Sequence, residues 1–138
     1  MRVAITADIH YAVGNNQRIV RNFSKKIIRT KADVLVLVGD TFAFNQKLLV
    51  ECLTLFAPFK GDKLFVAGNH DLWTQGTNSL EIYENVLPRI VKQYGFHYLD
   101  QKPYIKMTIE LEQKMAFLPF LNRLVTIGRT IHRDAFVG

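Results

Sequence analysis

The chain has 138 residues, of which 49% are hydrophobic and 22% charged, a composition that fits one globular domain and excludes a disordered or fibrous protein. No apolar run is long enough to cross a bilayer, and a strand begins directly after Met1, so we expect neither a membrane span nor a signal peptide. The net charge of +6 excludes an acidic protein. Because Cys52 is the only cysteine, no disulfide can form within the chain, which fits a cytoplasmic location.

The first half of the chain alternates apolar strands with amphipathic helices. Residues 2–7 and Val34–Val38 are predicted strands, and the second is a continuous apolar run typical of a parallel strand covered on both faces. A helix is predicted between them, from Gln17 to about Lys31. Its apolar side chains recur every four residues, at Ile19, Phe23 and Ile27. A second helix, capped by Asn45, and a third strand from Leu64 to Ala67 follow.

The second half is predicted to continue this alternation. A helical pattern starts at Ser79, and Pro88 is expected to divide it into two helices because proline lacks an N–H and crowds the preceding turn. Further strands are predicted at residues 96–99, 104–111 and 114–120, whereas residues 121–138 show no clear period. This order of elements predicts an α/β fold with a mostly parallel sheet flanked by helices.

Side chains that commonly bind metals follow each of the first three strands. Open α/β sheets place their chemistry in the crevice beyond the carboxyl ends of the strands, which makes these positions informative. Asp8 and His10 follow the first strand and lie two residues apart. Residues two apart in an extended segment point to the same side, so we expect both to bind one cation.

The second and third strands end in Gly-Asp and in Gly-Asn-His-Asp. Gly39 lets the backbone turn sharply, and the two oxygens of Asp40 can bridge two cations. After the third strand, Asn69 offers a neutral oxygen ligand, His70 can donate a proton to a departing oxygen, and Asp71 can orient that imidazole. The alternative for each motif taken alone is a polar turn that ends a strand.

Taken together, the three motifs predict a two-metal site. Such a site holds cations about 3.5–4 Å apart, activates a water molecule and neutralises charge on a phosphoryl group. Mixed Asp, His and Asn ligands favour two divalent or trivalent ions of Mn, Fe, Zn or Ni over calcium or a structural zinc ion.

The order of these motifs resembles the calcineurin-like metallophosphoesterase family. The resemblance implies that Asp8 and His10 hold the first metal and that Asp40 bridges both metals. It also implies that Asn69 holds the second metal and that His70 stabilises or protonates the leaving oxygen. The implied reaction is the in-line attack of a metal-activated water on a phosphate ester.

The resemblance covers roughly residues 1–120 and departs from the family pattern in two places. Ala43 stands where the family often has an acidic residue after Gly-Asp, and no histidine after His70 matches the family's downstream Gly-His-x-His segment. We therefore expect a single domain over residues 1–138 that is an incomplete version of the metallophosphoesterase α/β sandwich, with impaired activity. Residues 121–138 are expected to form an atypical tail.

A basic segment supports a second interpretation from a different functional class. No acidic residue lies between Tyr11 and Ala32, whereas lysine and arginine are frequent there. The simplest interpretation is a solvated helix face. The alternative is a non-catalytic binding module that holds an acidic partner or nucleic acid, although the sequence contains no nucleic-acid-binding motif.

Three further features bear on the predicted site and assembly. Trp73 is either a residue of the cleft that contacts substrate or a partly buried loop anchor. Cys52 falls on the apolar face of its helix and is interpreted as a core residue rather than a nucleophile. The open edge and apolar faces of an incomplete sheet favour a homo-oligomer.

Overall fold

The fold is described from a computed structural model. It describes residues 1–42, 45–73, 78–108, 113–117 and 124–127. The chain divides into two compact units, Met1–Tyr98 and Leu99–Gly138. The first unit contains all the motifs that follow the first three strands, so it holds the candidate site.

The first unit is built on a four-stranded parallel sheet whose spatial order follows the chain. Its strands are β1 (Val3–Ala7), β2 (Val34–Val38), β3 (Asp62–Val66) and β4 (Phe96–Tyr98). The α-helices between them are α1 (Asn16–Arg29), α2 (Gln46–Leu55), α3 (Ser79–Glu81) and α4 (Leu87–Gln93). The predicted α/β class, with a mostly parallel sheet flanked by helices, is confirmed.

The core lies between the helices and one face of this sheet. Thr6, Leu37 and Phe65 are register partners in neighbouring strands and therefore share a face. The buried cluster joins alternate strand residues of that face to helix residues. Its members from the sheet are Leu35, Leu37, Phe65, Phe96 and Tyr98, and those from the first two helices are Val20, Ile27, Leu49, Cys52 and Leu53. Cys52 is thus a core residue, as predicted.

Helix α1 buries a different stripe from the one predicted. Val20, Ser24 and Ile27 are buried, whereas Ile19 is 57% exposed and Phe23 is 37% exposed. Of the three apolar residues whose spacing predicted this helix, Ile27 alone is buried. A helix packed on a sheet buries a limited arc, and the i, i+4, i+7 stripe starting at Val20 occupies that arc here.

The helical segment that contains Pro88 is divided into two α-helices, as predicted, by a wider turn. Between α3 and α4, residues Ile82–Val86 form a π-helical turn, and the Leu87 N–H donates to the carbonyl of Ile82, five residues back. A proline ring in a regular α-helix would collide with the carbonyl of the residue four positions before it. The wider turn removes that constraint and joins two α-helices, of which α4 begins at Leu87, one residue before the predicted start at Pro88.

The second unit contains a three-stranded antiparallel sheet in the order β5-β6-β7. Its strands are Tyr104–Thr108, Gln113–Phe117 and Leu124–Ile127. The first two confirm the predicted pair of strands after β4. Within the predicted tail, residues 121–138, the structure describes β7, and the rest of that prediction lies outside the described residues. Along the described part of the chain, no helix combines the length and apolarity needed to cross a membrane.

Candidate metal centre

The loops that follow β1, β2 and β3 lie side by side at the carboxyl edge of the sheet. The ladder continues past the strands: the Asp8 N–H donates to the carbonyl of Gly39 at 3.3 Å, and the His10 N–H donates to the carbonyl of Asp40 at 2.9 Å. On the other side, the Gly39 N–H donates to the carbonyl of Val66 at 2.9 Å. The predicted convergence of the three strand ends therefore follows from the parallel register.

The backbone at this edge adopts an unusual conformation. Among the described residues other than glycine, positive φ occurs at Asp8 (51°), His10 (42°), Lys31 (51°) and Asp40 (49°). Lys31 follows the end of α1, where a left-handed residue commonly terminates a helix. The other three are the acidic and imidazole residues of the first two strand-end motifs. Such conformations cost about 1–3 kcal/mol each and cluster at functional sites.

Asp8 and His10 lie close together for a different reason from the predicted one. The prediction assumed an extended segment, in which residues two apart point the same way. Both residues are instead left-handed, so the segment is a tight loop and not a continued strand. The Nδ2 amide of Asn16, at the start of α1, donates to the carbonyl of His10 at 3.1 Å and ties this loop to the helix.

Two glycines let the second and third loops approach each other closely. A Cβ atom built on Gly39 would lie 3.1 Å from the Cα of Gly68. A Cβ atom on Gly68 would overlap the backbone nitrogen and Oδ1 of Asp40. Side chains at either position would therefore push the two loops apart and displace Asp40.

Asp8, His10 and Asp40 form a group that fits one metal ion. One ligand atom from each lies within 4.8 Å of the others. Ligand atoms lie about 2.0–2.2 Å from a bound transition metal, and so up to about 4.4 Å from one another. The three atoms need only a small inward movement to share an ion. Two carboxylates and an imidazole suit Mn, Fe, Zn or Ni, so the donor set agrees with the predicted metals.

The third loop adds its residues to the same place. The His70 N–H donates to Oδ1 of Asp40 at 2.9 Å, which joins the Gly-Asp motif to the Gly-Asn-His-Asp motif. Asn69 is exposed and begins the short 3₁₀ turn His70–Leu72. The structure thus brings Asn69 next to the Asp40 contact, and its role as a ligand of a second metal stays a prediction.

The His70 imidazole lies against the metal group. Its ring centroid is 5.0 Å from that of His10, and the two rings are nearly perpendicular, at 85°. The His70 ring therefore lies next to a residue that would hold a metal. This position suits a general acid, although the proton-donor role itself remains predicted.

Asp71 connects two loops through backbone hydrogen bonds. Its carboxylate is 1% exposed, and it accepts from the Gly68 N–H at 2.9 Å and from the Phe42 N–H at 3.0 Å. These contacts hold the loop after β2 against the loop after β3. The predicted role of Asp71, to orient the imidazole of His70, stays a prediction; the contacts described here support a structural role.

Burial controls the ionisation of two neighbouring groups. Burial raises the pKa of Asp71 to about 6, and the charge of Asp40 adds to the rise, while backbone hydrogen bonds from Gly68, Phe42 and Thr41 oppose it. Burial, followed by the charge of Asp71, raises the pKa of the Cys52 thiol to about 12. A thiol with that pKa stays protonated near neutral pH, which excludes Cys52 as a nucleophile.

The raised pKa of Asp71 predicts a pH-dependent stability in the metal-free chain. As pH rises from about 4 to about 6, the unfolded carboxyl, with a pKa near 3.8, loses its proton while the folded one retains it. The unfolded state then binds fewer protons, so the free energy of unfolding falls. Asp71→Asn does not titrate, and the wild type should lose about 2 kcal/mol relative to this variant across that interval. Urea denaturation of both proteins at several pH values measures the difference, and a constant difference would contradict it.

A comparison with protein families identifies the chain's relatives. The sequence model of the family described as calcineurin-like phosphoesterase matches residues 1–132. The chain belongs to this family. The sheet and flanking helices of this calcineurin-like phosphoesterase agree with the family's fold, and the resemblance inferred from the three motifs is confirmed. No curated protein matches the chain.

Sequence reasoning missed two structural contributors to the candidate metal centre. The first is Gly68, a glycine of the third motif that makes room for Asp40 because it has no side chain. The second is the backbone of Phe42, whose N–H binds the buried Asp71 carboxylate. A glycine at the end of two neighbouring parallel strands was the available signal for the first. Nothing in the sequence indicated the second, because a backbone donor is the same for every residue type except proline.

Proposed function

We propose that this calcineurin-like phosphoesterase hydrolyses phosphate esters at a site with two divalent or trivalent metal ions. The observation that carries the proposal is the grouping of Asp8, His10 and Asp40, with one ligand atom of each within 4.8 Å of the others. Membership of the family supplies the reaction class, and the donor set favours Mn, Fe, Zn or Ni. When bound, the metals would neutralise phosphoryl charge and lower the pKa of a water molecule.

The proposed work of the chain's own residues follows from their positions. Asp8 and His10 would hold the first metal, and Asp40, which lies between the first and third loops, would be a ligand of both. Asn69 would contribute its side-chain oxygen to the second metal. The ligands come from three strand ends tied together by backbone hydrogen bonds, so little reorganisation is needed when metals bind.

His70 is the proposed general acid. The ester P–O bond breaks as the water oxygen bonds to phosphorus, and the imidazolium of His70 donates its proton to the leaving oxygen. The products are an alcohol and a phosphate, and the proton released by the attacking water balances the one that His70 gives up. General acid catalysis of this kind contributes about 10²–10⁴-fold to a rate.

A metal-dependence assay tests the proposal. The full chain is stripped with a chelator, reloaded separately with Mn²⁺, Fe²⁺, Zn²⁺ or Ni²⁺, and assayed with p-nitrophenyl phosphate and bis-p-nitrophenyl phosphate. We expect hydrolysis with at least one of these ions, loss of hydrolysis on chelation, and a higher melting temperature with metal, since a ligand that binds the folded state stabilises it. Absence of metal-dependent hydrolysis with all four ions would contradict the proposal.

One surface feature favours the second candidate, a binding module for an acidic partner. A shallow cleft of about 350 Å³ lies where α1 begins, and it is lined by Gly14, Asn15, Gln17, Arg18 and Arg21. Arginine side chains at a helix start attract anions. Binding of a nucleic acid that weakens with salt and is unchanged by chelation would favour this candidate over the phosphoesterase.

A further inference from the structure

A short helical turn sets Trp73 against the proposed general acid. Residues His70–Leu72 form a 3₁₀ turn, and the Trp73 N–H donates to the carbonyl of His70 at 3.3 Å. A 3₁₀ helix has three residues per turn, so side chains three apart stack above one another. The indole of Trp73 and the imidazole of His70 accordingly lie with their centroids 3.8 Å apart and their planes tilted by 37°.

The contact extends a row of rings outward from the metal group. His10 contacts His70 at 5.0 Å between centroids, and His70 contacts Trp73. The turn that carries Trp73 is anchored beyond the site, where Oγ of Ser79 donates to the carbonyl of Leu72 at 2.9 Å. The indole is therefore held in a defined place at the outer end of this row.

Trp73 keeps much of its surface in contact with water. It is 45% exposed, whereas Tyr11, an aromatic residue of a neighbouring loop, is 1% exposed. A large aromatic surface left in water beside a reactive centre commonly binds the apolar part of a ligand. The remaining exposed area of the indole is available to a second flat ring.

We propose that Trp73 determines substrate specificity by stacking on a planar aromatic group carried by the leaving oxygen of the ester. This inference rests on the proposed function, because it takes the leaving oxygen to lie beside His70. A group attached to that oxygen would then project away from the metals and pass the indole of Trp73, which His70 contacts. Nucleobases and simple aryl rings share the required flat surface, and each stacks well on indole.

A fluorescence titration tests stacking without any hydrolysis. Trp73 is the only tryptophan in the chain, so its emission reports on this position alone. The full chain is titrated with adenosine and with ribose in the presence of a chelator. We expect saturable quenching by adenosine and none by ribose, and an equal response to both would overturn the inference. This arm stands even if the chain proves inactive, so failure of the proposed function and failure of the stacking are distinguishable.

A kinetic comparison tests specificity where metal-dependent hydrolysis is found. The esters are adenosine 5′-monophosphate, phenyl phosphate and glycerol phosphate. We expect a KM about tenfold lower for at least one aromatic ester than for glycerol phosphate, with a smaller change in kcat; this corresponds to about 1.4 kcal/mol. A low KM for the nucleotide alone assigns a nucleobase, and a low KM for both aromatic esters assigns any aryl ring. Equal KM values for all three esters would overturn the inference.

Variants at Trp73 separate stacking from a structural effect. Trp73→Leu should remove the difference in KM, whereas Trp73→Phe should keep most of it because phenylalanine retains a flat ring. Phe23→Leu, which removes an exposed ring on α1, is the matched control and should behave as wild type. A preference for aromatic esters that survives Trp73→Leu would overturn the proposal, and circular dichroism verifies that each variant is folded.

Discussion

Replacing Asp40 by asparagine is expected to weaken Mn²⁺ binding and to lower metal-dependent hydrolysis by at least about 100-fold. The carboxylate belongs to the metal group and also accepts the His70 N–H at 2.9 Å. Loss of a residue that only supports a ligand typically costs about 10–100-fold in metal affinity or activity, so loss of a direct ligand should cost more. Asparagine keeps the size of the side chain and one acceptor oxygen, so the substitution removes mainly the negative charge.

Calorimetric titration with Mn²⁺ and hydrolysis of bis-p-nitrophenyl phosphate measure the two effects. Asp33→Asn is the matched control: the same charge is removed from an exposed residue next to the amino end of β2, where the side chain accepts the Arg2 N–H at 2.6 Å. That position lies at the opposite edge of the sheet from the metal group. We expect the control to bind Mn²⁺ as the wild type does. Unchanged Mn²⁺ affinity and rate in Asp40→Asn would remove Asp40 from the proposed site.

Replacing Gly68 by alanine is expected to damage both stability and metal binding. The added Cβ atom would overlap the backbone nitrogen and Oδ1 of Asp40, and it would also press on the Cα of Gly39 at 2.8 Å. The atoms in the way belong mainly to backbone, so no side-chain rotation relieves the overlap. Overpacking of this kind costs about 1–3 kcal/mol of unfolding free energy. Because Asp40 would be displaced, we also expect the folded variant to bind Mn²⁺ more weakly than the wild type.

Chemical denaturation and Mn²⁺ titration of the folded variant separate these two consequences. Gly14→Ala is the control, because a Cβ atom there would meet nothing within 4 Å, although its φ of +51° makes alanine unfavourable. Left-handed alanine costs about 1–2 kcal/mol, so the control should lose stability and keep its metal affinity. If Gly68→Ala folds and binds Mn²⁺ as tightly as the wild type, the position of Asp40 does not require the absence of a side chain at Gly68.

Much of the first unit follows from local patterns in the sequence. The apolar run Val34–Val38 became β2 with the predicted bounds, and Asn45 caps α2 by accepting the Lys47 N–H at 2.9 Å. These features depend on residues close in sequence, so periodicity and capping rules suffice. The buried stripe of α1 could not be predicted from the sequence. Ile19 and Val20 both start plausible apolar stripes, and packing against the sheet decides which one is buried.

For the candidate site too, some features could be predicted from the sequence and others could not. The sequence by itself determined which side chains end the three strands, Asp8 with His10, Asp40, and Asn69 with His70, and it determined the family that this order indicates. These are properties of residue type and spacing along the chain.

Only the tertiary structure decided how those residues are held. The left-handed backbone of Asp8, His10 and Asp40 depends on hydrogen bonds between loops far apart in sequence. The space for Asp40 depends on the missing side chain of Gly68 in the neighbouring loop. The physical reason is that strained conformations and close backbone contacts are stable only when distant segments constrain them, and no local pattern encodes those constraints.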